Sequence, residues 1–313
     1  MSDHRSDVSA PVYAALVLGS DSFRLLVASY HDGVPETLDG EHVPLRLAAS
    51  LDASGCLSQD TMRDALDCVA RLRERLRPHP LEAVRAVATS TLRMARNAHL
   101  FLPAAQQTLG HEVRVLSGEE EAMLTWQGVA GAAPAGSRPL VLSIGGGSTQ
   151  FALGQGTRIR RAGSVALGTV RQALTFFGNG RIDAVSFAAA VASARVRLAD
   201  HAAEYGPEVR DCVYGASGTV RTLARLARMN GKDTGAVDRA GLEQLGARVL
   251  EQAAGGRPLA GIGRLRLRDV AAALAILIAL MEELQVSTLL ETDAGLRHGL
   301  LHELHRQRQS LAA

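Results

Sequence analysis

Three short runs in this chain are built from glycine and hydroxyl residues: Gly19-Ser20-Asp21-Ser22, Gly145-Gly146-Gly147-Ser148-Thr149 and Gly215-Ala216-Ser217-Gly218-Thr219. Where glycine removes the Cβ, backbone N–H groups can approach a phosphate closely, and the hydroxyls add further donors. Any one run is explained as well by turn geometry. Three together, each with hydroxyls, point to phosphate binding. A fourth segment, Ser117-Gly118-Glu119-Glu120-Glu121, sets three carboxylates behind a serine. Such a segment starts a helix, because the serine oxygen and the first-turn acids satisfy free N–H groups and the helix dipole. Adjacent carboxylates also raise one another's pKa by repulsion, which moves one of them toward the range of a general base.

The elements that must position these groups repeat. Residues 13–30 and 139–154 are each two apolar runs around one of the glycine turns, the pattern of a β-hairpin. Gly19 and Gly145 lie 126 positions apart, and this coarse repeat predicts two lobes whose hairpin turns face each other. The lobes are assigned to 12–130 and 131–313, with the Gly/Ala/Pro-rich segment 130–137 as linker. Periodicity predicts a helix over 58–76 behind Ser58, a strand at 81–90, one helix over 91–109, a strand at 111–117 and a helix from 118. In the second half it predicts a helix at 186–203 and a strand at 211–218 running into a helix at 219–229. The last helices fall at about 268–285 and 294–307, with a strand at 286–291 between them. Strands alternating with helices make both lobes α/β.

Composition excludes several classes. Apolar residues make up 47% and charged residues 21% of 313, the balance of a globular protein with a sizeable core. A formal charge of +2 does not suit a nucleic-acid-coating surface, and Trp126 and the four tyrosines show no interleaving with basic residues. Lys232 is the only lysine, so arginine carries nearly all the positive charge, which suits a polyanion through its planar fork. Coding preference explains the same bias. Cys56, Cys68 and Cys212 form no CxxC pair, so neither a disulfide framework nor a zinc site is expected, and a reducing compartment fits. The apolar run Val270–Met281 is too short to span a bilayer and reads as a buried helix. Residues 1–11 are polar, without an apolar signal core, and read as a disordered leader. His298, His302 and His305 share a helix face with metal-ligand spacing, but no fourth ligand is legible, and a solvated face is the better reading.

The segments LGSDSFRLLV, VATSTLRMARN, LSGEEEAMLTWQGV, IGGGSTQFALG, ALGTVRQALTFF, YGASGTVRTLA and DAGLRHGLL occur in the order of the exopolyphosphatase/guanosine pentaphosphatase family. The chain resembles that family over almost its whole length, from Val12 to Leu301. The resemblance implies the acetate kinase/sugar kinase/Hsp70/actin fold, with two ribonuclease-H-like lobes around a central cleft. It implies removal of a terminal phosphate from inorganic polyphosphate or guanosine pentaphosphate, a bound guanosine tetraphosphate being the related ligand. Mg²⁺ or Mn²⁺ would assist, and a glutamate would activate water. The matching glutamate is Glu121, with Arg93 and Asn97, four apart on one helix face, beside the phosphate. The cradle would be Gly19, Ser20, Asp21, Ser22, Gly145, Gly146, Gly147, Ser148, Thr149, Gly218 and Thr219, with Arg24, Arg171 and Arg221 as weaker candidates along the polyanion path. A cytoplasmic homodimer is the implied form.

Five positions depart from the family pattern. Val17 and Ser143 stand where the two phosphate loops are usually opened by aspartate, and Gln150 replaces a glutamate. Asp21 stands where asparagine is usual, and His298 replaces a glutamate. Because Mg²⁺ prefers charged oxygen ligands, the metal site is expected to be weakened and rearranged around Asp21, Glu121 and Ser143. The competing reading is a cleft that binds polyphosphate or guanosine tetra/pentaphosphate and acts as a regulator. Arg266 or Arg268 would serve as the family's arginine before the Val270–Met281 helix.

Overall fold

The computed structural model describes residues 10–231, 236–263 and 266–312. The first nine residues of the expected leader, and Lys232, lie outside them. The first half of the chain forms β1 (Val12–Leu18), β2 (Ser22–His31), β3 (Val34–Pro44), α1 (Gln59–Leu76) and β4 (Leu81–Ala88). It continues through α2 (Ser90–Met94), α3 (Ala98–Leu109), β5 (Val113–Val115) and α4 (Gly118–Val129). The second half opens with β6 (Pro139–Ile144), β7 (Thr149–Gln155), β8 (Arg158–Val165), α5 (Thr169–Phe177), α6 (Ala184–Ala202), β9 (Cys212–Gly215) and α7 (Gly218–Asn230). It ends with β10 (Val237–Asp238), α8 (Arg239–Ala253), α9 (Leu267–Glu283), β11 (Thr288–Glu291) and α10 (Leu296–Ala312).

The expected repeat is visible in the sheets. The first is ordered β3-β2-β1-β4-β5, and the second β10-β11-β9-β6-β7-β8. In each, a three-strand antiparallel meander (β1-β2-β3 or β6-β7-β8) is joined by two strands running parallel to its first member (β4 and β5, or β9 and β11), and the short β10 adds antiparallel at the edge of the second sheet. These are the two ribonuclease-H-like lobes. The third strands were not legible in sequence. β3 sits at a sheet edge with mostly exposed residues, and β8 is charged at its start, so neither carries an apolar run. The apolar run 270–281 is buried at every residue within α9, against α5, α6 and α8.

The lobes are laced together by an exchange of helices. α4 packs on β6, β7 and β8 of the second sheet, where Trp126 is buried and its Nε1–H donates to the Pro139 carbonyl at 3.3 Å. α10 packs on β1, β2 and β4 of the first sheet, and on α4. This crossing needs glycine: a Cβ at Gly299 would collide with the Leu124 carbonyl, and one at Gly128 with the Gly295 carbonyl. The close approach brings the first turns of α4 and α10 to one cavity.

Two expectations are corrected here. The single helix over 91–109 is broken: Ala95 is extended, at ψ 123°, and ends α2. Asn97 then precedes α3, so it does not share a helix face with Arg93. The histidines at 302 and 305 are not a solvated face either. His302 Nδ1 lies 2.9 Å from the Tyr30 hydroxyl, and the His305 ring stacks on Tyr30 at 4.3 Å between centroids. α10 uses them to grip the first sheet.

Candidate active site

The two glycine turns are built alike. Gly19 N–H donates to the Ser22 carbonyl at 3.1 Å, and Gly145 N–H to the Ser148 carbonyl at 2.8 Å. They meet across the cleft: a Cβ at Gly147 would lie 2.7 Å from Ser90 Oγ and 2.9 Å from Ser20 Oγ, and one at Gly146 would lie 3.0 Å from the Asp21 Cβ. Only glycine lets the second loop come this near the first. Ser20 Oγ accepts the Thr91 N–H at 3.0 Å, which fixes the start of α2 to the first loop. The third small-residue run is centred on Ser217, the N-cap of α7, whose hydroxyl accepts N–H groups from Val220 and Ile144. Gly218 and Thr219, in the first turn of α7, line the cleft beside Gly19, Asp21, Ser22, Gly145 and Gly146. Gly147, Ser148 and Thr149 stay behind this surface, the Thr149 hydroxyl donating to the Leu167 carbonyl at 2.6 Å.

Glu121 enters the same cavity from α4. Ser117 and Glu120 form a reciprocal capping box, so Glu120 is the capping acid and Glu121 is free to turn inward. Its side chain is 13% exposed, and Oε2 is buried without a hydrogen-bond partner. Burial pushes its pKa up to about 7, against the opposing pull of Arg93. The cause is therefore desolvation, and not the repulsion among adjacent glutamates expected from sequence. Arg93 Nη1 is 3.8 Å from Glu121 Oε2 and donates to the Leu116 carbonyl at 2.7 Å. It stands behind the glutamate, outside the cavity lining.

The facing wall is cationic. Arg24, Arg221 and Arg297 all line the cavity. Arg297 donates to the Leu25 carbonyl at 2.8 Å, and Arg221 to the Thr292 carbonyl at 2.9 Å with Asp293 at 3.0 Å. Burial, with Arg24 and Arg221 nearby, lowers the Arg297 pKa to about 10; burial and Arg221 likewise lower that of Arg24. Three guanidinium groups held this close repel one another, and an anion between them relieves that repulsion. Arg297 was not among the residues selected from sequence, although it lies within the quoted segment DAGLRHGLL. Two selected residues are elsewhere. Asn97 pairs with the backbone of Leu57 through both amide atoms, at 2.9 and 2.8 Å, and Arg171 is exposed on α5. A larger chamber of about 680 Å³, sharing Asp21, Arg24 and Arg221, continues outward past Arg225 and Arg266.

Comparison with known proteins places the chain in a family. The profile of the Ppx/GppA phosphatase family matches residues 26–307. The chain belongs to that family. It is 36% identical over 297 residues to a guanosine-5'-triphosphate,3'-diphosphate pyrophosphatase of Vibrio vulnificus, covering 95% of this chain and 60% of the relative. A protein of the same name from Aliivibrio fischeri is 34% identical over 299 residues, again covering 95% and 60%. The chain thus spans about three-fifths of the length of these curated relatives. Among solved structures, the Aquifex aeolicus Ppx/GppA family member superimposes with a TM-score of 0.78 at 22% identity, covering 96% of this chain and 99% of that one. An exopolyphosphatase from Cytophaga hutchinsonii does so with 0.81 at 21%, covering 94% and 97%. These likenesses carry the two-lobed fold. No helix among the described residues is long and apolar enough to cross a membrane.

The residues expected to hold a metal, Asp21, Glu121 and Ser143, all line the cavity, and so does Val17. Among the described residues, no three His, Cys, Asp or Glu side chains are grouped so as to hold an ion by themselves. Two carboxylates, one with a buried unpartnered oxygen, still fit the usual Mg²⁺ arrangement, in which substrate phosphates and water complete the octahedron. Gln150, in the place of a family glutamate, turns back to donate to Ser148 Oγ at 2.6 Å.

Proposed function

We propose that this Ppx/GppA family phosphatase hydrolyses a terminal phosphoanhydride, with guanosine-5'-triphosphate,3'-diphosphate as the first substrate class and inorganic polyphosphate as the second. The observation that carries the reading is Glu121: a buried carboxylate whose Oε2 has no hydrogen-bond partner, with a pKa near 7, in one cavity with the loop glycines and three arginines. The loops and the α7 N-terminus receive the terminal phosphate, and Glu121 accepts a proton from the attacking water. Arg93 keeps Glu121 oriented and holds its pKa below what burial alone would give. Asp21, Glu121 and Ser143 would hold Mg²⁺, whose chemistry is to neutralise charge developing on the phosphate oxygens. The names of the curated relatives favour the guanosine substrate, and the arginine-lined outer chamber suits either polyanion.

The experiment is phosphate release from both substrates by purified protein, with Mg²⁺, Mn²⁺ or chelator. Glu121→Gln is expected to lower kcat by roughly 10²–10⁴-fold while leaving ligand affinity within a few-fold. Because the base must be ionised, kcat/KM should rise with pH, and Mg²⁺ held beside Glu121 should set the midpoint below the metal-free value of about 7. A second reading, a cleft that binds without hydrolysing, is favoured by one observation: Val17, Ser143 and Gln150 supply no carboxylate. Wild type inert with every metal but binding the ligand would establish that reading instead.

A further inference from the structure

We propose that His298 is a proton-linked phosphate ligand, neutral in the open cleft and protonated when a polyanion enters. The inference rests on the polyanion reading of the cleft given above. His298 sits in the first turn of α10 and lines the cavity with Arg24, Arg221, Arg297 and Glu121. Neither ring nitrogen has a hydrogen-bond partner among the described residues, so both remain available to a ligand.

The charges around the ring explain its state. Arg297 and His302 share its helix, Asp293 precedes it, and Arg221 faces it from α7, while Asp21, Arg24 and Glu121 face the same cavity. Burial, then Arg297 and His302, bring its pKa down to about 4, with Asp293 opposing and Arg221 adding slightly. The positive end of α10 acts in the same direction. A polyanion reverses this balance. It neutralises the guanidinium groups and supplies acceptor oxygens, and an imidazolium donates a charge-assisted hydrogen bond that a neutral ring cannot match. Binding should therefore take a proton from solvent onto His298, and affinity should strengthen as pH falls.

The test is titration calorimetry with guanosine-5'-triphosphate,3'-diphosphate and with inorganic polyphosphate, in two buffers of different ionisation enthalpy. It is run on Glu121→Gln protein, which removes turnover and any proton uptake by Glu121, while His42 of the adjoining chamber is common to every variant. At pH 6 this protein should take up roughly half to one proton per ligand more than Glu121→Gln/His298→Gln, the ligand's own protonation being common to both. From pH 8 to pH 6 its affinity should rise up to about tenfold more than that of the double variant. His298→Glu, paired with the same background, is the second variant and should also lose the uptake, since a carboxylate among three arginines stays ionised. Binding with equal proton counts in all three proteins overturns the inference and leaves the functional reading intact. Absence of binding in all three overturns both.

Discussion

At matching positions of the two hairpins, Val17 faces Arg24 across β1 and β2, while Ser143 faces Gln150 across β6 and β7. The turns between them close with the same hydrogen bond, and their flanking strands hold the same place in each sheet. Backbone architecture has been kept in duplicate, but the side-chain chemistry has been divided. The first hairpin brings charge to the cleft, through Asp21 and Arg24. The second brings compactness: Gly146 and Gly147 let the loop lie directly against Ser20, Asp21 and Ser90. A repeated fold thus yields an asymmetric site, because strand register fixes where a side chain points and leaves its chemistry open.

The comparison is broken most severely by filling the second loop. Gly147→Val would press its branched side chain into Ser90 and Ser20, forcing the hairpins apart. Phosphate release is expected to fall at least roughly 100-fold, as for a displacement of about 1 Å at a catalytic centre. Overpacking should also destabilise the fold by about 1–3 kcal/mol. A variant as active as wild type would show that the loops need not touch.

The next effect concerns the glutamate between the hairpins. Its folded pKa, about 7, lies above the ordinary 4.5, so folding favours its protonated form. The stability tied to that proton is fully present below pH 4.5 and is lost as pH rises through about 7. Glutamine undergoes no such loss. Glu121→Gln should therefore be more stable than wild type by on the order of 3 kcal/mol at pH 8, with the gap closing toward pH 4.5. Thermal melts of both proteins across that range give the answer, and a pH-independent difference would mean the carboxylate is not desolvated.

Restoring aspartate sharpens the contrast between the two halves. Val17→Asp would place its carboxylate opposite Arg24, which offsets the new charge, whereas Ser143→Asp faces only the neutral Gln150. Ser143→Asp should lower the Mg²⁺ concentration for half-maximal activity by about tenfold, and Val17→Asp by less. Asp21→Asn should raise it. Equal effects at 17 and 143 would show that Arg24 does not distinguish the hairpins electrostatically.

The smallest effect is expected at the rim. Arg46 binds Asp269 of the opposite lobe at 2.6 and 3.1 Å, and its own N–H and that of Leu45 bind the Asp21 carbonyl at 2.7 and 2.9 Å. The pair is about a quarter exposed on each side. A double-mutant cycle of Arg46→Ala and Asp269→Ala should give a coupling of no more than about 1 kcal/mol.

Local rules carried the reading of the chain a long way. Alternating apolar runs around Gly19 and Gly145 suffice for two hairpins, Ser117 with three glutamates suffices for a capped helix start, and twelve apolar residues from Val270 suffice for a buried helix. Each of these depends on neighbours a few positions away, which is why sequence alone determined them. What it did not determine depends on partners far along the chain. Asn97 leaves the Arg93 helix face because its amide finds the Leu57 backbone, 40 positions earlier. Tyr30 receives His302 and His305 from 272 and more residues away. Arg297 reaches the cleft only because Gly299 lets α10 lie on α4. The same crossing brings α4 and α10 to one cavity, and Glu121 acquires a pKa near neutrality from burial there. Desolvation is a property of the whole packed surroundings, so only the tertiary structure could decide it.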